Sequence, residues 1–181
     1  MRYSISRTFT KMILQRRKGV KTDQIGKGSK PRKVLLIEIL MKIATYAVVT
    51  VEVVSIIWNF RMWESSLTWI GIFVAFLGVL VFIVAMVTMR DSWRAGIPEK
   101  DKTELITKGI YRISRNPAFL GFDLMYVGLL IVFFNFVHLA LVLYAVIMLH
   151  LQILQEENFL TATFGEKYTE YKKRTGRYFI I

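Results

Sequence analysis

Cysteine is missing from all 181 residues, and histidine occurs twice, at His138 and His150. These absences exclude a disulfide scaffold, a thiolate zinc site and a cysteine nucleophile, and two histidines are too few for a haem or zinc site built on imidazole alone. Acids are scarce, with 13 Asp and Glu against 25 Lys and Arg, for a net charge of +12. Strand signals, internal repeats, low-complexity tracts and heptads are lacking as well. Against this stands an apolar content of 54%, above the roughly 45–50% of a soluble domain. A chain this apolar and this basic has to keep its charges apart from its hydrophobic runs, as an all-α integral membrane bundle with basic cytosolic segments does. The length suits one domain of four or five spanning helices and leaves no room for a separate soluble catalytic domain.

Charge and hydropathy divide the chain into a basic arm, 1–33, and a membrane domain, 34–181. The arm holds 11 Lys and Arg against one acid, Asp23. Its apolar residues are too scattered for a span or a signal-peptide core, so it reads as an arm lying on an anionic membrane face. Four spans are expected. The first, 34–58, contains Glu38, Lys42 and Glu52, and the i,i+4 spacing of Glu38 and Lys42 suits a pair near the cytosolic end. The second, 67–89, carries no charge and is long enough to cross the roughly 30 Å hydrocarbon core. Residues 90–118 are polar and form a loop. The apolar stretch 119–154 is too long for one crossing and reads as a hairpin turning near Asn135, with spans at about 119–134 and 137–154.

Four crossings sort the charges. The arm, the 90–118 loop and the tail 155–181 then hold 23 of the 25 Lys and Arg on one side, with Lys42 inside a span and Arg61 on the far side. By the positive-inside rule both termini and the long loop are cytosolic. The small size and missing targeting signal point to a bacterial inner membrane, with the endoplasmic reticulum as the other option.

Two phosphate-binding readings fail. Gly26-Lys27-Gly28-Ser29-Lys30 lacks the Walker spacing, and no GxGxxG follows a strand. The arm has only Tyr3 and Phe9 among its cations, so lipid headgroups suit it better than bases, and no nucleic-acid partner is expected.

Polar groups concentrate around the cytosolic ends of the last two spans. Thr103-Glu104-Leu105-Ile106 and Tyr111 precede Arg115-Asn116-Pro117-Ala118-Phe119, where Pro117 suits the first turn of a helix. Asp123 lies about one turn inside. The last span ends in Gln152, Glu156 and Glu157. Gln152 and Glu156 share a face at i,i+4, while Glu157 is turned by about 100°. Carboxylates beside a bilayer need cations, and Arg112 and Arg115 are the nearest. Gly165 then breaks the helix before a short basic stretch with Tyr168 and Tyr171, which reads as an interfacial amphipathic helix or a lid over a cytosolic pocket.

This ordered set resembles the isoprenylcysteine carboxyl methyltransferase and phospholipid methyltransferase family of integral-membrane enzymes. The resemblance covers roughly 67–181. It rests on Gly-Ile-Tyr at 109–111, Arg-Asn-Pro at 115–117 with Phe119 and Gly121, the helical hairpin, Glu156-Glu157, and Phe164-Gly165-x-x-Tyr168-x-x-Tyr171.

The resemblance implies methyl transfer from S-adenosylmethionine, held without a Rossmann fold, to a lipophilic acceptor in the bilayer. That acceptor could be an isoprenylcysteine-like carboxylate, a phospholipid amine or another small lipid. Carried over by position, it implies donor contacts at Thr103, Glu104, Leu105, Ile106, Tyr111, Asn116, Pro117, Ala118, Phe119 and Glu156. The implied catalytic residues are Arg115, Glu156 and Glu157, with Gln152 and Asp123 toward the acceptor and no metal. Two positions depart from the pattern. Asn116 stands where the family usually has His, and Gln152 where the prenylcysteine enzymes carry Arg, so a carboxylate acceptor loses a guanidinium fork. The same departures are what a non-catalytic lipid-binding or assembly protein on this scaffold would carry.

Overall fold

The computed structural model describes residues 24–62, 66–92, 96–97 and 104–179, apart from the side chain of Asp91. Most of the basic arm lies outside these residues, as does Thr103. Among the described residues every regular element is helical: α1 (Arg32–Trp58), α2 (Thr68–Met89), α3 (Pro117–Val132), α4 (Phe136–Phe164) and α5 (Glu166–Arg174). Short 3-10 turns cover Arg90–Ser92 at the end of α2 and Gly109–Arg112 just before α3.

Three of these helices, α1, α2 and α4, are long and apolar enough to cross a membrane. The third expected span is shorter than the others. It begins at Pro117, two residues earlier than anticipated, and ends at Val132, so its 16 residues rise about 24 Å against a core of about 30 Å. The fourth runs on past 154 to Phe164, and its last turns leave the apolar region. The turn at Asn135 caps α4 in the usual way: the side chain accepts from the His138 amide at 2.8 Å and satisfies one of the amides a helix start leaves unpaired.

The outer surfaces of α1 and α2 are apolar. Trp58, Trp69 and Phe73 are among the exposed side chains, with Trp69 79% exposed, a pattern that fits lipid rather than water. The inward stripe of α1 is the unusual one. It buries Glu38, Glu52 and Ser55 beside Met41, Ala44 and Val48, against Val142, Ala145 and Leu149 of α4. Toward the far end Glu52 meets His138 of α4 at 3.9 Å.

The α2–α3 hairpin packs differently. A Cβ built on Gly78 would stand 2.6 Å from the Gly121 carbonyl oxygen, and one on Gly71 2.7 Å from that of Gly128. Only glycine allows backbones this close, and in lipid such small-residue contacts are a main source of helix association. Each helix carries its two glycines seven residues apart, and the antiparallel register pairs Gly71 with Gly128 and Gly78 with Gly121.

Glu38 does not pair with Lys42, contrary to the i,i+4 expectation. Lys42 is exposed, while Glu38 is buried and bridged by Lys30, whose Nζ lies 2.8 Å from each carboxylate oxygen. The inward position is tolerated because Lys30 and two backbone amides compensate the buried carboxylate, whereas Lys42 at the helix surface can reach water.

Candidate active site

The N-terminal end of α1, the C-terminal end of α2, the start of α3 and the end of α4 meet at one end of the bundle around a cavity of ≈ 300 Å³. Its polar wall is Glu156 of α4 with Arg115 and Asn116 from the turn into α3. Phe119 and Phe122 of α3, Phe82 and Met89 of α2, and Tyr111 supply the apolar and aromatic wall. Met41 and Thr45 of α1, together with Ile25 and Gly96, also line it.

Two adjacent carboxylates have opposite surroundings. Glu157 is saturated. It accepts from Arg115 Nη2 at 2.9 Å and Nε at 3.2 Å, from Arg177 Nη2 at 3.0 Å and Nε at 3.3 Å, and from Asn116 Nδ2 at 3.3 Å. Glu156, turned by about 100° on the helix, lines the cavity instead. Among the described residues its one hydrogen bond comes from Gln152 Nε2 at 3.1 Å, and no cation stands within ion-pair distance of it. A carboxylate without a cation in a mostly apolar cavity is an incomplete arrangement that a cationic ligand group would complete.

The Glu157 cluster also closes the end of the bundle. Arg115 donates through Nη1 to the carbonyls of Lys172 and Thr175 at 3.1 and 2.6 Å, and its amide bonds the Gly176 carbonyl at 3.0 Å. Ser114 Oγ and Asn116 Nδ2 both donate to the Arg177 carbonyl, at 3.1 and 3.2 Å. Irregular backbone before α3 is thereby satisfied by protein, as backbone at membrane depth must be. The Tyr171 hydroxyl adds a bond of 2.5 Å to the Tyr111 carbonyl. Burial pushes the Tyr171 phenol well above its usual range, so it stays protonated and donating.

The expected site residues fall into groups. Tyr111, Arg115, Asn116, Ala118, Phe119 and Glu156 line the cavity. Pro117 is fully buried at the head of α3. Glu104 and Ile106 line a neighbouring groove of ≈ 360 Å³ that shares Met89 with the cavity. Ile106 also packs on the cluster of Ala85, Tyr111 and Ala118, and Leu105 is half-buried beside it. Gln152 is buried behind Glu156, and among the described residues its Oε1 lacks a partner. Asp123 is not among the lining residues; its Oδ1 is buried without a hydrogen bond from any described residue. Of the two arginines expected to meet the carboxylates, Arg115 does. Arg112 instead lines an outer groove with Lys167 and Arg174.

Sequence reasoning did not single out Arg177, Tyr178, Phe122 or the Lys30–Glu38 pair. Tyr178 bonds His150 Nδ1 at 2.7 Å and brings the chain end back along α4. Only Arg177 carried a local signal, as a basic residue just past a helix rich in cations.

Fold and site together define an integral membrane protein of the helical-bundle type, with a mostly apolar cavity at one end whose polar wall holds a carboxylate, Glu156, that has no ion-pair partner among the described residues. The model of the isoprenylcysteine carboxyl methyltransferase (ICMT) family matches residues 69–162, more than half of the chain, and the chain belongs to that family. Its relatives include a "Probable protein-S-isoprenylcysteine O-methyltransferase" of Oryza sativa subsp. indica, 30% identical over 112 residues that make up 59% of this chain and 58% of the relative. Another is the "Protein-S-isoprenylcysteine O-methyltransferase" of Saccharomyces cerevisiae, 27% identical over 125 residues, 66% of this chain and 52% of the relative. The chain spans little more than half the length of these relatives.

Proposed function

We propose that the protein transfers a methyl group from S-adenosylmethionine to a lipophilic acceptor that enters the cavity from the bilayer. The observation that carries this reading is the contrast between Glu157, neutralised by two guanidinium groups, and Glu156, which lines the cavity with no ion-pair partner among the described residues. The residues present fit the donor. Glu156 can hold its ammonium, oriented by Gln152. The first turn of α3, headed by Asn116 and Pro117, offers amides to its carboxylate, and Tyr111 and Phe119 can pack against the adenine or near the sulfonium. When bound, the donor supplies an electrophilic methyl group. The chain's own part is positioning, since in-line transfer depends mainly on proximity and alignment.

The acceptor side is apolar. Met41 and Thr45 of α1 and Phe82 of α2 all line the cavity, and α1 and α2 make no extended contact, so a lipid chain can enter between them. The Arg115 and Asn116 donors are already engaged by Glu157 and by carbonyls of the C-terminal segment. Recognition therefore rests on the acceptor's apolar chain more than on its charge. The names of the relatives make a prenylcysteine carboxylate the first acceptor to try, with a phospholipid amine as comparison. The sorting of basic residues supports a cytosolic cavity end, with both termini on that side.

Calorimetric titration of detergent-purified protein with S-adenosylhomocysteine tests the donor site. Saturable binding is expected for the native chain, weakened at least about 30-fold by Glu156→Ala, as loss of one partner of a desolvated charge pair does. Radiolabelled transfer to the two acceptors then identifies the accepting group. Absence of binding to folded native protein would refute the reading.

A further inference from the structure

Glu38 gathers two separate stretches of chain at the mouth of the cavity. Its Oε2 accepts from the Gly26 amide at 2.7 Å and its Oε1 from the Ile97 amide at 3.1 Å. Lys30 Nζ bridges both oxygens at 2.8 Å and also donates to the Gln24 carbonyl at 2.6 Å. The Glu38 and Lys30 side chains are 0% and 4% exposed. A second contact holds the same two stretches together without any charge. Gly96, at φ +83°, lies so close to the segment that a Cβ there would stand 2.9 Å from the Ile25 amide nitrogen and 3.1 Å from the Gln24 carbonyl carbon. Ile25 and Gly96 both line the cavity.

Resting on the donor-site reading above, we propose that Glu38 is a positioning residue for the donor: it folds residues 24–30 and Gly96–Ile97 together so that Ile25 and Gly96 form part of the wall of the cavity that Glu156 also lines. The end of the basic arm is then part of the binding site and not only a lipid contact. A carboxylate suits this task because it can accept from two amides and an ammonium at once, joining stretches that share no regular secondary structure. Without it, the wall spends part of its time open, and the apparent affinity for the donor falls in proportion to the closed fraction.

Because the chain has no cysteine, single introduced cysteines report local opening cleanly. Ile25→Cys reports the wall, and Ala145→Cys, in the α1–α4 core, reports the bundle. Each is placed in the native background and in Glu38→Gln, and maleimide labelling is followed with and without S-adenosylhomocysteine. If the closed fraction drops to about a tenth, Glu38→Gln labels much faster at position 25 but not at 145, and the affinity for S-adenosylhomocysteine falls about tenfold. Gly96→Ala, which disturbs the same contact without touching a charge, is expected to repeat both effects and decides the matter if Glu38→Gln does not fold. Equal labelling at position 25 in native and variant proteins, or a parallel rise at 145, would overturn the proposal. A native protein that fails to bind S-adenosylhomocysteine would sink the donor reading instead, while the labelling contrast at position 25 would still stand or fall by itself.

Discussion

The α2–α3 hairpin and the surroundings of α4 solve the same problem by opposite means. Between α2 and α3, Gly71, Gly78, Gly121 and Gly128 bring backbone onto backbone, with no titratable group at the seam. Around α4, contacts are made by side chains: Val48, Ala145 and Leu149 in the core, Glu52 with His138 toward the far end, and the Glu157 cluster at the cavity end. The first arrangement tolerates no variation in shape and offers nothing to a ligand. The second leaves room between helices and fills it with polar groups that can be satisfied or left open. The cavity lies where the two meet.

The comparison can be broken most severely on the glycine side. Gly121→Leu places a side chain where a Cβ alone would come 2.8 Å from the Gly78 carbonyl oxygen. No side-chain rotation relieves a clash with backbone, so the variant is expected to lose its monodisperse peak in gel filtration. Next comes Glu157→Ala, which strands the Arg115 and Arg177 guanidinium groups and frees the C-terminal segment. The expected loss is about 3 kcal/mol, read from thermal or denaturant unfolding in detergent, and a loss below about 1 kcal/mol would show that the cluster is not what holds this end together. The smallest effect sharpens the contrast. Glu156→Gln breaks no ion pair among the described residues, so stability should change by less than about 0.5 kcal/mol while donor binding weakens, whereas stability loss as large as that of Glu157→Ala would erase the distinction between the two carboxylates.

Much of the architecture was legible because it depends on composition over long windows. The uncharged run of α2, the hairpin turn at Asn135 and the helix break at Gly165 all lie within a residue or two of where pattern and turn chemistry put them. The site was legible in part. Tyr111, Asn116, Phe119 and Glu156 surround one cavity, but the motif did not reveal that Glu157 and Arg115 close on each other across 42 residues of sequence. Pairings of that kind leave no local signal. Glu38 illustrates the limit most sharply, since Lys42 has the right helical spacing whereas Lys30 lies before the helix begins. The glycine seam escaped for another reason: inside a uniformly apolar stretch, a seven-residue spacing has no polar background to stand out against.

The shortness of α3 sets the depth at which the site works. The pairing of Gly71 with Gly128 and Gly78 with Gly121 puts the last residue of α2, Met89, level with residue 110, and Gly109 does abut Thr88. Helix α3 begins seven residues beyond that level, at Pro117, about 10 Å further down the α2 axis. Asn116, Ala118 and Phe119 thus form the floor of a well sunk below the end of α2. A lipid meeting the cavity there keeps its chain in the leaflet, and every methylene that is not drawn into water spares about 0.8 kcal/mol of extraction. If the proposed function holds, the polar donor would descend to the lipid, and the lipid need not be lifted to the donor.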